Sequence, residues 1–99
     1  MWEIRQTDAF RHWLSKLRDP TARARVLVRI RRLSLGNPGD VKAVGGGVRE
    51  LRISYGPGYR VYYCQVAEAV IVLLSGGDKT TQSQDIKTAK ALAKGYRHD

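Results

Sequence analysis

Residues 69–75 read AVIVLLS, a run without a charged side chain and with β-branched residues at its centre. It is far too short for a membrane span, and it has the length of a strand. A strand that is apolar at nearly every position must be covered on both faces, so this one belongs at the interior of a sheet. The rest of the chain has to supply the partner strands and the cover.

The N-terminal half supplies helices. Met1–Gln6 can form a short strand, with Trp2 and Ile4 on one side and Glu3 and Arg5 on the other. Thr7 then offers an N-cap, and Phe10, Trp13, Leu14 and Leu17 recur at the spacing of an amphipathic helix. Asp19-Pro20 reads as an N-cap followed by proline at the first helical position. Val26, Leu27, Ile30 and Leu33 give the second helix its apolar stripe, and Gly36-Asn37-Pro38-Gly39 ends it. The two helices form a hairpin that one face of the sheet must receive.

From residue 41 the period changes. VKAV and then VRELRI (48–53) alternate apolar and polar residues, SYGPG is a turn, and YRVYYCQV (59–66) is the next strand. Ala67-Glu68 connects it tightly to the apolar run. Thr81 and Gln84 have capping-box spacing, and Ile86, Ala89 and Ala93 form the stripe of a third helix. The expectation is one α+β domain over residues 1–99, ordered β-α-α-β-β-β-α. Its sheet is a small antiparallel meander with an N-terminal strand, the helical hairpin on one face, and a C-terminal helix.

Eighteen Lys and Arg against nine Asp and Glu give a net charge of +9 and a pI near 10.2. Such a balance points to a polyanion or to an acidic protein that covers the surface. The opening residues lack the apolar core of a secretory signal, and no run is long enough to cross a bilayer. Cys64 is alone, which excludes a disulfide framework and a thiolate metal cluster and suits a cytoplasmic setting. No spacing of His, Cys, Asp and Glu predicts a metal site, and nothing calls for a small-molecule cofactor or a membrane.

An arginine stands in the middle of the strand YRVYYCQV. Alternation puts Tyr59, Val61 and Tyr63 on one face, and Arg60, Tyr62 and Cys64 on the other. With Leu51 and Ile53 in the core, Glu50, Arg52, Arg60 and Tyr62 gather on an open face, and Lys79 can lean over it. That set is a cradle for a phosphate and a stacked base. Arg60 could equally form a cross-strand ion pair with Glu50. The second helix carries Arg23, Arg25, Arg29, Arg31 and Arg32 and no acid. Arg25, Arg29 and Arg32 share a face, a footprint for RNA phosphates or an acidic protein. His12 and His98 read as surface residues, and Gly45-Gly46-Gly47 as a flexible turn.

Two stretches carry a resemblance: GVRELRISYGPGYRVYYCQV (47–66) and IVLLSGGDKTTQSQDIKTAKALAK (71–94). Together with the element order, they resemble the RelE/ParE superfamily of bacterial toxins, especially the HigB-like, phage-derived addiction module killer branch. The resemblance implies the toxin half of a type II toxin–antitoxin pair, a ribosome-dependent mRNA endonuclease with antitoxin, ribosome and mRNA as partners. Arg60 matches the arginine of the family's GYR motif, Arg52 a strand lysine, and Lys79 a basic residue after the last strand. Glu50 stands where the family has a second lysine, and Asp85 where it has a catalytic aromatic residue or histidine.

Cleavage by the 2′-hydroxyl needs a base, cations for the phosphorane charge, and an acid for the leaving 5′-oxygen. Arginines supply charge and hydrogen bonds but do not titrate usefully. The expected catalytic set is Arg60, Lys79, Arg52, Glu50 and Asp85, without metal. Arg49, Tyr62, Arg25, Arg29 and Arg32 are the expected RNA contacts. Two other readings remain open at this point: a ParE-like DNA gyrase poison acting by protein contact, and an RNA-binding module without catalysis.

Overall fold

A computed structural model describes residues 1–96, so His98 lies outside the described residues. The elements run β1 (Glu3–Gln6), α1 (Asp8–Lys16), α2 (Pro20–Ser34), β2 (Val41–Gly45), β3 (Val48–Ile53), β4 (Tyr59–Ala67), β5 (Val70–Asp78) and α3 (Gln82–Lys94). The five strands form one mixed sheet in the order β1-β5-β4-β3-β2. β1 runs parallel to β5, and the other pairs are antiparallel. The apolar run is therefore β5, flanked on both sides as its composition requires.

Residues 41–53 hold one strand more than the sequence pattern suggested. Val41–Gly45 pairs with β3 as a strand of its own, through a turn in which Gly45, Gly46 and Gly47 all have positive φ. Three such residues in succession exclude any side chain with a Cβ at low cost. The glycine run is thus a shaped hairpin turn.

Both helical caps form as read. Thr7 accepts from Phe10 N at 3.0 Å and donates to Leu74 O at 2.6 Å, tying α1 to β5. Asp19 accepts from Thr21 N and Ala22 N at the start of α2, a type of contact worth about 1 kcal/mol. The capping box at α3 does not form: Thr81 makes no side-chain cap, and its hydroxyl turns to Asp85.

Two cores lie on opposite faces of the sheet. Phe10, Leu14, Val26, Leu33, Leu51, Val61, Ile71 and Leu73 join the helical hairpin to one face. Val48, Tyr62, Cys64, Val72, Leu74, Ala89 and Ala93 join α3 to the other. Leu27, expected in the core stripe of α2, is instead exposed, while Ala22 is buried. A bulge sets the end of β5. Tyr62 pairs with Ser75 and Tyr63 with Leu73, which leaves Leu74 as an extra residue. Beyond it Gly76 lies against Trp13 and Gly77 against Asp85.

Candidate active site at the end of the β3–β4 hairpin

Arg52 of β3 pairs with Arg60 of β4, and Arg60 pairs with Gly77 of β5. This rank of three residues crosses the sheet beside the first turn of α3. The intervening turn, Ser54–Gly58, is closed by Gly58 N donating to Tyr55 O at 3.0 Å. A Cβ placed on Gly58 would lie 3.4 Å from Arg60 Nη1 and 3.7 Å from Cβ and Cδ of Lys79. The glycine therefore lets two cationic side chains flank one point of the backbone. Arg52, Arg60 and Lys79, with Asp40, Tyr55 and the turn, line an open depression of about 420 Å³.

The cations are held differently. Arg52 donates from Nη2 and Nε to Asp40 Oδ1 at 2.8 and 3.1 Å. That bond holds the Asp40 carboxyl below the usual carboxylate range and pushes Arg52 further up. Arg60 is only 8% exposed. Its Nη1 donates to Gly58 O at 3.2 Å, while its Nε stands 3.6 Å from Glu50 Oε2 without a hydrogen bond. The pair anticipated between Arg60 and Glu50 thus exists as a charge contact. Arg60 also lines the depression. Lys79 is exposed.

Glu50 is fully buried. Its Oε2 accepts from the Tyr62 hydroxyl at 3.0 Å and from Gln82 Nε2 at 2.8 Å, and its Oε1 has no hydrogen-bond partner in the protein. Burial, and then the bond to Glu50, push the Tyr62 phenol far up. The open face inferred from strand alternation is thus roofed by α3. The cause is physical: the Ala89 and Ala93 stripe lets the helix approach closely, and the apolar run of β5 needs cover on this side too. Arg52 lies beyond the roof and Arg60 at its margin, whereas Gly77 of the same rank is buried against Asp85. Tyr62 cannot stack on a base from beneath a helix, and the Glu50 carboxylate does not face solvent.

Asp85 does reach the rank. It sits in the first turn of α3, where Oδ2 accepts from the Thr81 hydroxyl at 2.5 Å. A Cβ on Gly77 would fall 1.8 Å from that same oxygen. The carboxylate consequently lies on the backbone of the residue that pairs with Arg60.

The remaining expected contacts separate. Arg29 points inward and donates to the carbonyls of Arg52, Pro38 and Asp40 at 2.5, 2.8 and 3.1 Å. Burial lowers its pKa; both Nη groups are committed to backbone carbonyls of the site, while the buried Nε has no hydrogen-bond partner. It braces Asp40 and Arg52. Arg25 lies over the Tyr55 ring at 4.8 Å, and Arg32 is exposed on α2. Arg49 lies on the opposite face from Arg52, where it lines a separate groove with Trp2, Val41 and Tyr63.

Sequence reading missed Asp40 and Tyr55. Tyr55 is the aromatic residue that lines the depression, and its hydroxyl donates to Asp19 Oδ2 at 2.9 Å. The turn SYGPG, adjacent to both arginines in the chain, was the signal for Tyr55. Nothing local marks Asp40, which comes from the other side of β2. Among the described residues no group of three or more His, Cys, Asp or Glu could hold a metal ion, and no helix is long and apolar enough to cross a membrane.

Residues 12–94 match the family described as "Phage derived protein Gp49-like (DUF891)". The chain belongs to this family, a RelE/HigB-like toxin family of toxin–antitoxin systems. It is also 50% identical, over 91 residues, to an uncharacterized protein of Haemophilus influenzae, covering 92% of each chain. Residues 12–94 contain the second half of α1, all of α2, the Arg52–Arg60 rank, Lys79 and Asp85. A toxin of such a system implies an antitoxin partner.

Proposed function

We propose that this Gp49-like protein is a metal-independent endoribonuclease that cleaves mRNA on the ribosome, held inactive by its cognate antitoxin in the cytoplasm. One observation carries the reading: Arg52, Arg60 and Lys79 converge on one open depression, with the single carboxylate of Asp40 as the acidic residue of its lining. Such a set fits a phosphodiester and the extra charge of its phosphorane, because fixed donors stabilise developing charge more than mobile water does.

The arrangement supports the following roles. Arg60 and Arg52 hold the non-bridging oxygens of the scissile phosphate. Asp85, resting on the strand residue paired with Arg60, accepts the proton of the 2′-hydroxyl. The 2′-oxygen attacks phosphorus, the P–O5′ bond breaks, and the Lys79 ammonium gives a proton to the departing oxygen. The products are a 2′,3′-cyclic phosphate and a 5′-hydroxyl. Glu50 is buried behind this arrangement, where its charge holds Arg60; it is assigned no proton transfer. Tyr55 takes over the base-facing position expected of Tyr62.

The test is primer extension on a defined message in a reconstituted translation mixture, with and without ribosomes, using wild type, Arg60→Ala and Lys79→Ala. Cuts are expected only with ribosomes, and loss of either donor should slow them roughly 100-fold, in line with other oxyanion-stabilising groups. Both variants should keep the wild-type amide spectrum. An intact message beside growth-arresting wild-type protein would refute the nuclease reading and turn attention to gyrase.

A further inference from the structure

We infer that Gln82 and Tyr62 are positioning residues for Arg60. Together they occupy one oxygen of the buried Glu50 carboxylate, which then attracts the guanidinium by charge without taking it in a hydrogen bond. The arginine is thereby left to the cation depression that it lines. This deepens the nuclease reading and rests on it for the role of Arg60; the contacts themselves do not.

A carboxylate taken out of water needs both hydrogen bonds and a counter-charge. Glu50, on β3, is fully buried and draws them from two neighbouring elements. Its register partner Tyr62, on β4, donates its hydroxyl to Oε2 at 3.0 Å. Gln82, the first residue of α3, donates Nε2 to the same oxygen at 2.8 Å. Both donors are neutral. The charge is met by Arg60 of β4, whose Nε lies 3.6 Å from that oxygen. Arg52, the other arginine of the rank, is committed to Asp40.

The long Nε contact has a cause. A carboxylate oxygen offers about two lone-pair sites, and on Oε2 the two neutral donors take both. Donation from two elements also fixes the plane of the group, and Oε1 is left without a hydrogen-bond partner in the protein. Arg60 Nε is therefore buried and unpartnered beside a carboxylate, although a bond between the two would ordinarily be strong. Its Nη1 donates instead to Gly58 O at 3.2 Å, in the turn that frames the depression. An ion pair out of water adds little to stability, since desolvation offsets the attraction. What this one sets is the place of the guanidinium. Gln82 also stands between Lys79 and Asp85 in the chain, so the bond that saturates Glu50 seats the first turn of α3 beside Arg60. Burial, then Glu50 and Asp85, push the Tyr62 phenol up and Arg60 opposes them, which puts both carboxylates and the arginine within electrostatic reach of one hydroxyl.

The experiment uses the full chain with 15N-labelled arginine and follows the exchange of Arg60 Nε–H with water, the signal being assigned by its loss in Arg60→Lys. Gln82→Met keeps the side-chain volume, Tyr62→Phe keeps the ring, and each removes one donor from Oε2. In both, the freed lone pair should accept from Arg60 Nε, and exchange should slow about tenfold or more, as a charge-assisted hydrogen bond requires. Glu50→Gln removes the charge, and there exchange should quicken. In the reconstituted translation mixture, both donor variants should lower kcat about tenfold with KM little changed, because a guanidinium drawn toward Glu50 is misplaced for the transition state. A merely structural role would loosen the start of α3, and exchange in Gln82→Met would quicken. Faster or unchanged exchange in either donor variant that keeps the wild-type amide spectrum would overturn the inference, as would undiminished cutting by both beside an active wild type. Slowed exchange in a protein that leaves every message intact would retain the placement of Arg60 and discard the nuclease reading.

Discussion

Replacing Gly77 by alanine tests whether the carboxylate of Asp85 is placed by steric contact with the sheet. The new Cβ would sit 1.8 Å from Asp85 Oδ2, 2.7 Å from its Cγ and 3.0 Å from Thr81 Oγ1. The first two separations are far inside contact and the third is tight, so Asp85 must rotate away and release the Thr81 hydroxyl. Overpacking costs about 1–3 kcal/mol, and a hydrogen bond to a charged group about 1.5–3 kcal/mol. Asp85 is partly exposed, so water replaces much of that bond, and the loss of glycine entropy in the unfolded chain returns about 0.4–1 kcal/mol. The net expectation is a destabilisation of about 2 kcal/mol, or roughly 10 °C in Tm for a domain of this size. Urea unfolding followed by the fluorescence of Trp2 and Trp13 measures it. The decisive comparison is the double variant with Asp85→Ala. With the carboxylate gone, the new methyl meets far less, so the two substitutions should be sub-additive by about 1 kcal/mol, well beyond the scatter of independent sites. Strict additivity would refute the contact, and with it the placement of Asp85 over the partner of Arg60.

Two further outcomes follow from the geometry. Ala69 has φ of +59° in the tight β4–β5 turn, so Ala69→Gly should raise the urea midpoint and stabilise the protein by about 0.5–1 kcal/mol; a lower midpoint would contradict the strain argument. The carboxyls of Asp40, Asp19 and Asp78 are all held below their ordinary range, chiefly by hydrogen bonds from Arg52, Tyr55 and Thr80 respectively. A depressed folded pKa gives stability that is present above the unfolded value and lost as pH falls through the folded one. Stability should therefore be level from neutral pH down to about 4 and decline below that, and Asp40→Asn should flatten the decline in urea titrations at successive pH values.

Much of this architecture was legible in one dimension. The apolar run of β5 demanded an interior position, the caps Thr7 and Asp19 stood one residue before their helices, and alternation assigned Tyr59, Val61 and Tyr63 to one face and Arg60, Tyr62 and Cys64 to the other. Spacing of this kind is local physics, since it depends on backbone period and on groups a few residues apart. Even the adjacency of Arg52 and Arg60 follows from a short hairpin closed by SYGPG.

What spacing could not decide was which surfaces end up covered. That α3 lies on the second face, and so buries Glu50 and Tyr62 while leaving Arg60 at the edge of the roof, depends on where a helix docks some twenty or more residues away in the chain. The inward turn of Arg29 onto the carbonyls of Arg52, Pro38 and Asp40 was likewise hidden, because its partners come from a loop and a strand end that only packing assembles. The bulge at Leu74, which sets Gly76 under Trp13 and Gly77 under Asp85, belongs to the same class. Burial and long-range hydrogen bonding are properties of the assembled molecule. The amino-acid pattern determined the elements and their faces; tertiary packing decided which of the charged residues on those faces meet solvent, and so which of them can meet a phosphate.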